Sequence, residues 1–252
     1  MERFRLNYIN KIIIGDCIEK LTSLPSAMVD LVFADPPYNL EKDYGLYRDS
    51  HSPQDYLNWT EKWLIEIVRI LKPEGSFYLL NLPKWAIYHA VFLDKLLYRQ
   101  NTIAWDALST PRGKIMPAHY TLLYYTKSKV NYAFNKGKTR HNWTHCARKA
   151  CIEDRDSLST PETPYSDIWN NIYRIKHKIK RQSDHPTQLP LEFMKRIILT
   201  SSTEGDLVFD PFLGVGTTAI AAKILRRNYL GIEINPEYAK LSLEYLSRLD
   251  KA

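Results

Sequence analysis

Two acidic residues, each at the end of an apolar run, are the positions in this sequence best suited to chemistry. Residues 33–40 read FADPPYNL, where Asp35 follows an apolar run and precedes two prolines and a tyrosine. Residues 209–218 read FDPFLGVGTT, where Asp210 precedes a turn with two glycines. Prolines cannot continue a sheet and glycines permit tight turns, so both stretches predict a strand that ends in a loop.

The second stretch has the order of a nucleoside-binding βαβ unit. A strand ends at Asp210, a turn contains Gly214 and Gly216, and a helix follows. The next strand, YLGIEI, carries Glu233 near its end, where a carboxylate can accept hydrogen bonds from ribose hydroxyls. The glycine spacing is GxG and not GxGxxG, so these residues alone leave both a nucleoside site and a structural glycine turn open.

Strand and helix patterns alternate around both stretches. The predicted strands are KIIIGD, VDLVFAD, SFYLLN, NTIAWDAL, YTLLYYTKS, DLVFD and NYLGIEI, and the predicted helices cover 53–71, 83–99, 191–202, 217–227 and 236–249. Strands that alternate with helices of this length predict a doubly wound α/β sheet. Trp59, Trp63 and Trp85 follow helical patterns, so we expect them in the core.

The alternation stops between residues 127 and 184. This segment is rich in Lys, Arg, Asn, Thr and Ser, and it shows no period of a strand or a helix. A structureless connection of that length is uncommon inside a compact domain and is often functional. We therefore predict a single domain over residues 1–252, with 127–184 as a basic insertion.

The positive charge of the chain is concentrated in its middle. The formal net charge is +7, and residues 106–181 carry 15 lysines and arginines against 6 acidic residues, a local net charge of +9. A basic segment on a neutral scaffold predicts a polyanionic partner, nucleic acid first. A solubilising surface is the alternative that charge alone leaves open.

Cysteine content and hydropathy argue against several other classes of protein. The three cysteines form no CxxC pair, so we predict no metal site and reduced cysteines. The N-terminal residues lack the apolar run of a signal peptide, and no stretch approaches the roughly 18 apolar residues of a membrane span. The sequence predicts a cytoplasmic protein without membrane contact.

Together, DPPY and DPFLGVGTT…GIEIN resemble the signature motifs of the S-adenosylmethionine-dependent DNA amino-methyltransferases. The catalytic motif comes before the cofactor motif, as in the circularly permuted β class. The resemblance covers nearly the whole chain, including WLIEIVRILKPEGSFYLL and HPTQLP. It implies a Rossmann-like, doubly wound sheet of seven strands, mostly parallel, with YTLLYY antiparallel and the N-terminal KIIIG strand beside YLGIEI.

The resemblance implies the following catalytic roles for DPPY. Asp35 and the carbonyl of Pro36 accept hydrogen bonds from the exocyclic amine of a base, which increases the density of the amine lone pair on nitrogen. Pro36 and Pro37 fix the loop and donate no competing N–H. Tyr38 stacks on the base after it has been flipped out of the duplex. A plain strand-ending turn is the alternative.

The resemblance also implies a site for S-adenosyl-L-methionine. Its expected residues are Asp16, Cys17, Asp35, His185, Thr187, Gln188, Asp210, Pro211, Phe212, Gly214, Gly216, Thr217, Glu233 and Ile234. Asp16 is expected to meet the adenine amine of the cofactor, although a helix N-cap is the alternative for that residue. The sequence departs from the family at Leu189, where a lysine is common (HPTQKP), and this puts the contribution of that lysine in doubt.

DNA is the expected partner, with a restriction endonuclease and a second copy of the chain as further candidates. The predicted phosphate contacts are Arg112, Lys114, Arg174, Lys176, Lys178, Lys180 and Arg181. DPPY favours adenine N6 as the methyl acceptor, because the cytosine N4 enzymes more often carry serine at the first position. Cytosine N4, an RNA or protein-glutamine methyltransferase, and an inactive DNA-binding scaffold are the alternatives.

Overall fold

A mixed β-sheet with helices on both faces forms the framework of the chain. The structure is a computed structural model, and it describes residues 6–41, 49–106, 118–136, 138–139, 163–164, 166–175 and 188–250. The strands within these ranges are β1 (Lys11–Ile14), β2 (Val29–Ala34), β3 (Leu71–Asn81), β4 (Tyr98–Asp106), β5 (His119–Thr126), β6 (Lys138–Thr139), β7 (Thr163–Pro164), β8 (Ile168–Trp169), β9 (Leu207–Asp210) and β10 (Asn228–Glu233).

The described helices begin and end close to sequence signals. They are α1 (Cys17–Ser23), α2 (Pro53–Ile70), α3 (Pro83–Leu93), α4 (Leu191–Ser201), α5 (Thr217–Ile224) and α6 (Pro236–Leu249). Proline occupies the first turn of α2, α3 and α6, where its missing N–H costs no intrahelical hydrogen bond. Asp16, Ser52 and Asn235 cap α1, α2 and α6 through their side chains.

The main sheet has the order β1-β10-β9-β2-β3-β5-β4-β8. Strand β5 is antiparallel to both of its neighbours, and the other pairings are parallel. The predicted α/β class and the antiparallel strand from YTLLYY are thus confirmed. The predicted neighbours KIIIG and YLGIEI also pair, with Lys11 opposite Leu230 and Ile14 opposite Glu233. The circularly permuted order of the motifs stays a prediction.

Among the described residues, the main sheet contains eight strands and not the predicted seven. The additional strand, β8, has two residues and pairs in parallel with β4. It lies inside the segment that lacked a pattern, because two residues are too short to show a period. The indole of Trp105 donates a 2.8 Å hydrogen bond to the carbonyl of Ile172, which fastens the chain beyond β8 to the sheet.

Two helices end more than one residue before the predicted end. The helix predicted over 83–99 ends at Leu93, and β4 begins at Tyr98 opposite Thr126, so pairing with β5 prevails over the apolar pattern. The helix predicted over 217–227 ends at Ile224, and Arg226 takes a positive φ of 61°. Helix α1 was not predicted at all, although its cap, Asp16, was a visible signal.

Each face of the sheet has its own apolar core. One core joins α1, α2 and α3 to the sheet and includes Trp63 and Val32. The other joins α4, α5 and α6 to it and includes Phe193 and Phe33, whose ring centroids are 6.1 Å apart. Consecutive residues of β2 lie in different cores because side chains of a strand alternate between its faces.

Part of the predicted insertion packs against the sheet domain. The Lys127 ammonium donates to the carbonyls of Val68 and Leu71 at the end of α2. The side-chain amide of Asn135 donates to two carbonyls at the end of α4. The domain limits, 1–252 with an insertion at 127–184, stay a prediction. None of the helices in the described ranges has the length and apolar content that crossing a lipid bilayer requires.

Asp30 should be a point of high sensitivity for the stability of the sheet. Its carboxylate contacts the Lys72 ammonium and accepts a 2.7 Å hydrogen bond from the Leu207 backbone N–H, so it links β2, β3 and β9. Asp30→Ala leaves both donors without this acceptor, and we expect a loss of about 1–3 kcal/mol in the free energy of unfolding. Urea denaturation measures it. Equal midpoints for this variant and Glu61→Ala, a substitution on the exposed side of α2, would contradict the expectation.

Candidate active site

Four acidic residues meet where parallel strands end. Asp16 follows β1, Glu233 ends β10, Asp210 ends β9 and Asp35 follows β2, and these strands are consecutive neighbours in the sheet. Since parallel strands end at the same edge of a sheet, their loops surround one cleft. The cleft encloses about 1010 Å³ including its opening to solvent, and all four carboxylates line it.

The lining of this cleft is acidic and apolar. Among its described lining residues, four are acidic and none is Lys, Arg or His. The remaining lining is mainly apolar and includes Trp59, Phe212 and Ile234. Such a lining attracts a cation and repels a phosphate. The composition of the cleft therefore argues against a nucleotide ligand, although the glycine turn alone had left a general nucleoside site open.

Asp35 and Tyr38 contact each other directly. The Tyr38 hydroxyl donates a hydrogen bond to Oδ1 of Asp35. The Tyr38 side chain is buried, and its ring centroid lies 5.7 Å from that of Tyr120. The predicted stacking of Tyr38 on a base stays a prediction, and here its hydroxyl group instead holds one oxygen of the carboxylate.

The backbone carbonyls of the DPPY loop differ in their partners. The Tyr56 hydroxyl donates to the Pro37 carbonyl at 2.8 Å, and the Trp85 indole donates to the Tyr38 carbonyl at 2.8 Å. No described residue donates a hydrogen bond to the carbonyl of Pro36. The loop therefore keeps one carbonyl acceptor available beside Asp35, which is the acceptor that the sequence analysis expected.

The end of the DPPY loop is fastened by Asp49. Its carboxylate accepts hydrogen bonds of 2.7 and 2.9 Å from the backbone N–H groups of Asn39 and Leu40. The Asn39 amide in turn exchanges hydrogen bonds with the backbone of His51. These contacts fix the C-terminal end of the loop, and β2 holds its N-terminal end, next to Asp35 and Pro36.

Asp210 is an unusual carboxyl group because it is almost fully buried. Its oxygens accept hydrogen bonds from the Phe212 backbone N–H at 2.9 Å and from the Thr218 hydroxyl at 2.6 Å. Burial raises the pKa of Asp210 to about 7; the two hydrogen bonds oppose this rise, and the nearby carboxylates of Asp35 and Glu233 add to it. Asp210 thus stabilises the glycine turn through two hydrogen bonds, although burying its charged form costs free energy.

Glu233 connects two loops at the end of β10. Its carboxylate accepts from the backbone N–H of Gly214 at 2.7 Å and from that of Asn235 at 2.8 Å. Burial raises the pKa of Glu233, and these backbone hydrogen bonds oppose the rise. A carboxylate offers about four acceptor positions, so Glu233 keeps acceptor capacity for a ligand in the cleft.

Asp16 has the N-cap role that the sequence analysis gave as its alternative, and its contact with the adenine amine of the cofactor stays a prediction. Its Oδ1 accepts from the backbone N–H groups of Ile18 and Glu19, which makes it the cap of α1. Its Oδ2 has no partner among the described residues, and the side chain lines the cleft. The neighbouring Cys17 is buried, and burial raises the pKa of its thiol far above the usual range.

Most of the residues predicted for the site lie around this one cleft. They are Asp16, Cys17, Asp35, Pro36, Pro37, Tyr38, Gln188, Asp210, Pro211, Phe212, Gly214, Thr217, Glu233 and Ile234. Gly216 lies at the start of α5 and is not among the lining residues. Eight predicted residues lie outside the described ranges, namely Arg112, Lys114, Lys176, Lys178, Lys180, Arg181, His185 and Thr187. The roles of all of them stay predictions.

Arg174 is the predicted DNA contact that the structure describes. Its guanidinium lies 6.0 Å from the centroid of the Tyr120 ring, on the side of the site where Tyr38 lies. Burial raises the pKa of the Tyr120 hydroxyl; the positive charge of Arg174 opposes this rise and the negative charge of Asp35 adds to it. Arg174 therefore lies against Tyr120, whose ring packs against Tyr38 of the DPPY loop.

Several lining residues were not predicted. Trp59, which was assigned to the core, packs against that core and also lines the cleft, whereas Trp63 and Trp85 are buried. The other lining residues that the motifs did not identify are Gly15, Phe33, Leu189, Leu213, Val215, Thr218, Ile232 and Tyr238. Their sequence signals were those of ordinary strand, turn and helix residues, apart from Leu189, which was noted as a departure from the family.

Gly216 should tolerate alanine poorly. Its φ is +89°, and an added Cβ would lie 2.8 Å from the Cβ and Oγ atoms of Ser242. Gly205 is a matched control, with a φ of +83° and open space around an added Cβ. We expect Gly205→Ala to lose about 1–2 kcal/mol from backbone strain and Gly216→Ala to lose more. Thermal melts of both variants test this, and an equal loss of Tm would contradict it.

Asp210→Asn should stabilise the chain at neutral and alkaline pH. The folded-state pKa of Asp210 lies above the unfolded value of 3.8, so stability from this group is lost as pH rises from about 4 to 7. Asparagine keeps the shape and does not titrate. We expect similar Tm values near pH 4 and a higher Tm for the variant at pH 8. The rise in Tm should be roughly 2–4 °C for each kcal/mol that the substitution adds to the free energy of unfolding.

The exposed control for this measurement is Glu204→Gln, which should leave the Tm close to that of the wild type at both pH values. An Asp210→Asn variant that is less stable than the wild type at pH 8 would show that the lost charge was favourable in the folded chain.

The sequence and the fold of this chain resemble those of known proteins. The DNA methylase family model matches residues 29–244. The chain is 36% identical to the type II methyltransferase M.BamHI of Bacillus amyloliquefaciens, over 96% of this chain and 58% of that protein. It is 33% identical to the DNA adenine methyltransferase YhdJ of Escherichia coli (strain K12), over 98% of this chain and 84% of that protein.

A solved structure shares the fold. The Thermus thermophilus protein TTHA0409, in complex with S-adenosyl-L-methionine, superposes with a TM-score of 0.64 at 24% identity, covering 95% of this chain and 93% of that chain. The match to the family model covers most of the chain, and the resemblance inferred from the two motifs is confirmed. The chain therefore belongs to the DNA methylase family.

Proposed function

We propose that this chain transfers a methyl group from S-adenosyl-L-methionine to the N6 amine of an adenine in DNA. The observation that carries the proposal is the juxtaposition of two features. A cleft lined by four carboxylates and by no described basic residue adjoins Asp35, and an available Pro36 carbonyl lies next to that aspartate. The first feature suits a cationic cofactor, and the second suits an amine.

The donor chemistry of the cleft fits S-adenosyl-L-methionine. Glu233 has acceptor positions for ribose hydroxyls, and Oδ2 of Asp16 can accept from the adenine amine. Trp59 and Phe212 offer apolar ring surface, with ring centroids 5.8 Å apart. The sulfonium group of the cofactor supplies an electrophilic methyl group when it is bound. The negative charge of the cleft favours that cation over a neutral ligand of the same shape.

Asp35 and Pro36 prepare the nucleophile. The exocyclic amine of adenine is a weak nucleophile because its lone pair is delocalised into the ring. Two acceptors on its N–H groups increase the density on nitrogen and fix the direction of the lone pair. When the methyl group passes from sulfur to the amine nitrogen, the carbon–sulfur bond breaks to leave S-adenosyl-L-homocysteine, and Asp35 accepts the proton that the methylated nitrogen releases. Tyr38 gives up its hydrogen bond to Asp35 when the amine arrives, and its ring is available to stack on the base.

A base inside a duplex cannot reach this cleft, so the target must be flipped out. The basic residues 106–181 supply the positive charge that binding to a DNA backbone needs. Arg174, beside Tyr120, is suited to a phosphate close to the flipped nucleotide. The other predicted phosphate contacts and the DNA-recognition role of residues 127–184 belong to the same proposal.

Adenine is preferred to cytosine for two reasons. The DPPY sequence favours N6, and one relative is named a DNA adenine methyltransferase. Cytosine N4 is the second candidate, because both bases present an exocyclic amine. The names of other relatives as type II methyltransferases support a role in restriction-modification. A cognate endonuclease, a homodimer and a cytoplasmic location complete the proposal.

Asp35→Asn should abolish most of the methyl transfer. The amide keeps the size of the side chain and replaces one acceptor oxygen with a donor that repels the target amine. We expect a fall in kcat of about 100-fold or more, with cofactor affinity nearly unchanged. Labelled S-adenosyl-L-methionine and unmodified genomic DNA give the rate, and nucleoside analysis of the digested product gives the base. Glu61→Gln on the outside of α2 is the control variant.

Label in N6-methyladenine that Asp35→Asn lacks is the expected result. Label in N4-methylcytosine would keep the mechanism and overturn the choice of base. Cofactor binding without label in either nucleoside would contradict DNA as the substrate. Failure of the wild-type chain to bind the cofactor would overturn the enzymatic function.

A further inference from the structure

A chain of buried polar groups runs from the interior of the protein to the DPPY loop. Nε2 of His89 lies 3.3 Å from Nδ2 of Asn81, which donates a 3.0 Å hydrogen bond to the Tyr56 hydroxyl. That hydroxyl donates to the Pro37 carbonyl at 2.8 Å. Each of the three side chains is at most 1% exposed. Burying polar groups is costly unless all are hydrogen-bonded, so a purely apolar contact would have been the cheaper way to fill this space.

The hydrogen bonds of this chain run in one direction. The Leu82 backbone N–H donates to Oδ1 of Asn81 at 2.8 Å, so the amide nitrogen of Asn81 must face Tyr56 and His89. Asn81 therefore donates to both. The Tyr56 hydroxyl accepts from Asn81, and its own proton is directed to the Pro37 carbonyl. Burial lowers the pKa of His89 to about 4, so its ring is neutral near pH 7 and Nε2 can accept.

The chain of hydrogen bonds ends next to the proposed acceptor. The carbonyls of Pro37 and Tyr38 are held by Tyr56 and Trp85, from α2 and α3. Proline fixes φ at Pro37, so ψ of Pro37 is the one backbone torsion left between the held carbonyl and the plane of the Pro36–Pro37 peptide. The contacts of Tyr56 and Trp85 restrict that torsion and, through it, the direction of the Pro36 carbonyl, which has no described donor.

We infer that Tyr56, Asn81 and His89 are positioning residues that orient the Pro36 carbonyl toward the amine of the target base. The inference rests on the proposed function, because the carbonyl has no task without a target amine. It adds three residues that no motif identified, and these residues lie on α2, β3 and α3. Their effect passes through the backbone and requires no contact with the cofactor or the base.

Tyr56→Phe is the direct test. Phenylalanine keeps the ring that packs 4.7 Å from Trp85, and it removes the hydroxyl that holds the Pro37 carbonyl. We expect kcat to fall about 10- to 100-fold, since misplacement of a reacting group by 1 Å has effects of that size. The KM for DNA and the Kd for S-adenosyl-L-methionine should change by less than about 3-fold, because Tyr56 is buried and does not line the cleft.

Tyr78→Phe is the matched control for the loss of a buried tyrosine hydroxyl. Tyr78 is 2% exposed, and its hydroxyl pairs with the Ser201 hydroxyl at 2.7 Å in the core on the other face of the sheet. It should lower the Tm like Tyr56→Phe and leave kcat at the wild-type value. A second pair of variants, both at His89, tests the inference if Tyr56→Phe folds poorly. His89→Gln retains an acceptor for Asn81 and should preserve most of kcat, whereas His89→Leu should lose it.

The possible outcomes separate the inference from the function beneath it. A low kcat in Tyr56→Phe and His89→Leu, with normal kcat in Tyr78→Phe and His89→Gln, supports the positioning role. A normal kcat in Tyr56→Phe, or losses in all four variants that follow their Tm, would overturn the inference while the function stands. Absence of methyl transfer by the wild-type chain would overturn the proposed function, and the inference with it.

Discussion

The parallel pairing of β2 with β9 is the interaction on which the rest of the site depends. Asp35 and Asp210 are separated by 175 residues in the sequence, and they become neighbours because Leu31 lies opposite Val208 and Val32 opposite Phe209. A register shift of one residue would turn the apolar side chains of β2 to the wrong faces, so the two cores fix the pairing. Asp30 adds a polar link at the start of the same strands. The distance between the two loops is thus set by backbone geometry and by burial on both faces.

This arrangement places several carboxylates in one poorly solvated cleft, which is unfavourable for the protein without a ligand. Backbone N–H groups at Phe212, Gly214 and Asn235 offset part of the cost, and the raised pKa values of Asp210 and Glu233 show that part remains. A bound cation would lower both pKa values. The electrostatic repulsion among these carboxylates therefore destabilises the free protein and also favours the binding of a positively charged ligand.

The sequence predicted those parts of the structure that follow from short-range patterns. Apolar runs identified the strands, and the change from strand to Gly-rich turn placed Asp210 and Glu233 at strand ends. No sequence pattern identified Tyr56 or His89, because the chain of hydrogen bonds that links them to the DPPY loop joins α2, α3 and the loop through tertiary packing. Strand β8 was not predicted for another reason, because two residues are too few to show a periodicity. The four acidic residues of the cleft were predicted as site residues, whereas the absence of Lys, Arg and His from the described lining could be seen only in the folded chain.

In the proposed mechanism, the pair of acceptors also defines which bases the site can accept. Asp35 and the Pro36 carbonyl both require a donor, and among the bases adenine and cytosine present an exocyclic amine at the position that guanine and thymine fill with a carbonyl oxygen. A carbonyl there would face two acceptors and be repelled, so rejection of guanine and thymine follows from the backbone of the DPPY loop. Adenine and cytosine satisfy the acceptors equally. The choice between them must come from the space around the ring, where Tyr38 and Tyr120 lie with centroids 5.7 Å apart. The DPPY loop therefore selects an exocyclic amine, and the rings of Tyr38 and Tyr120 beside it select between adenine and cytosine.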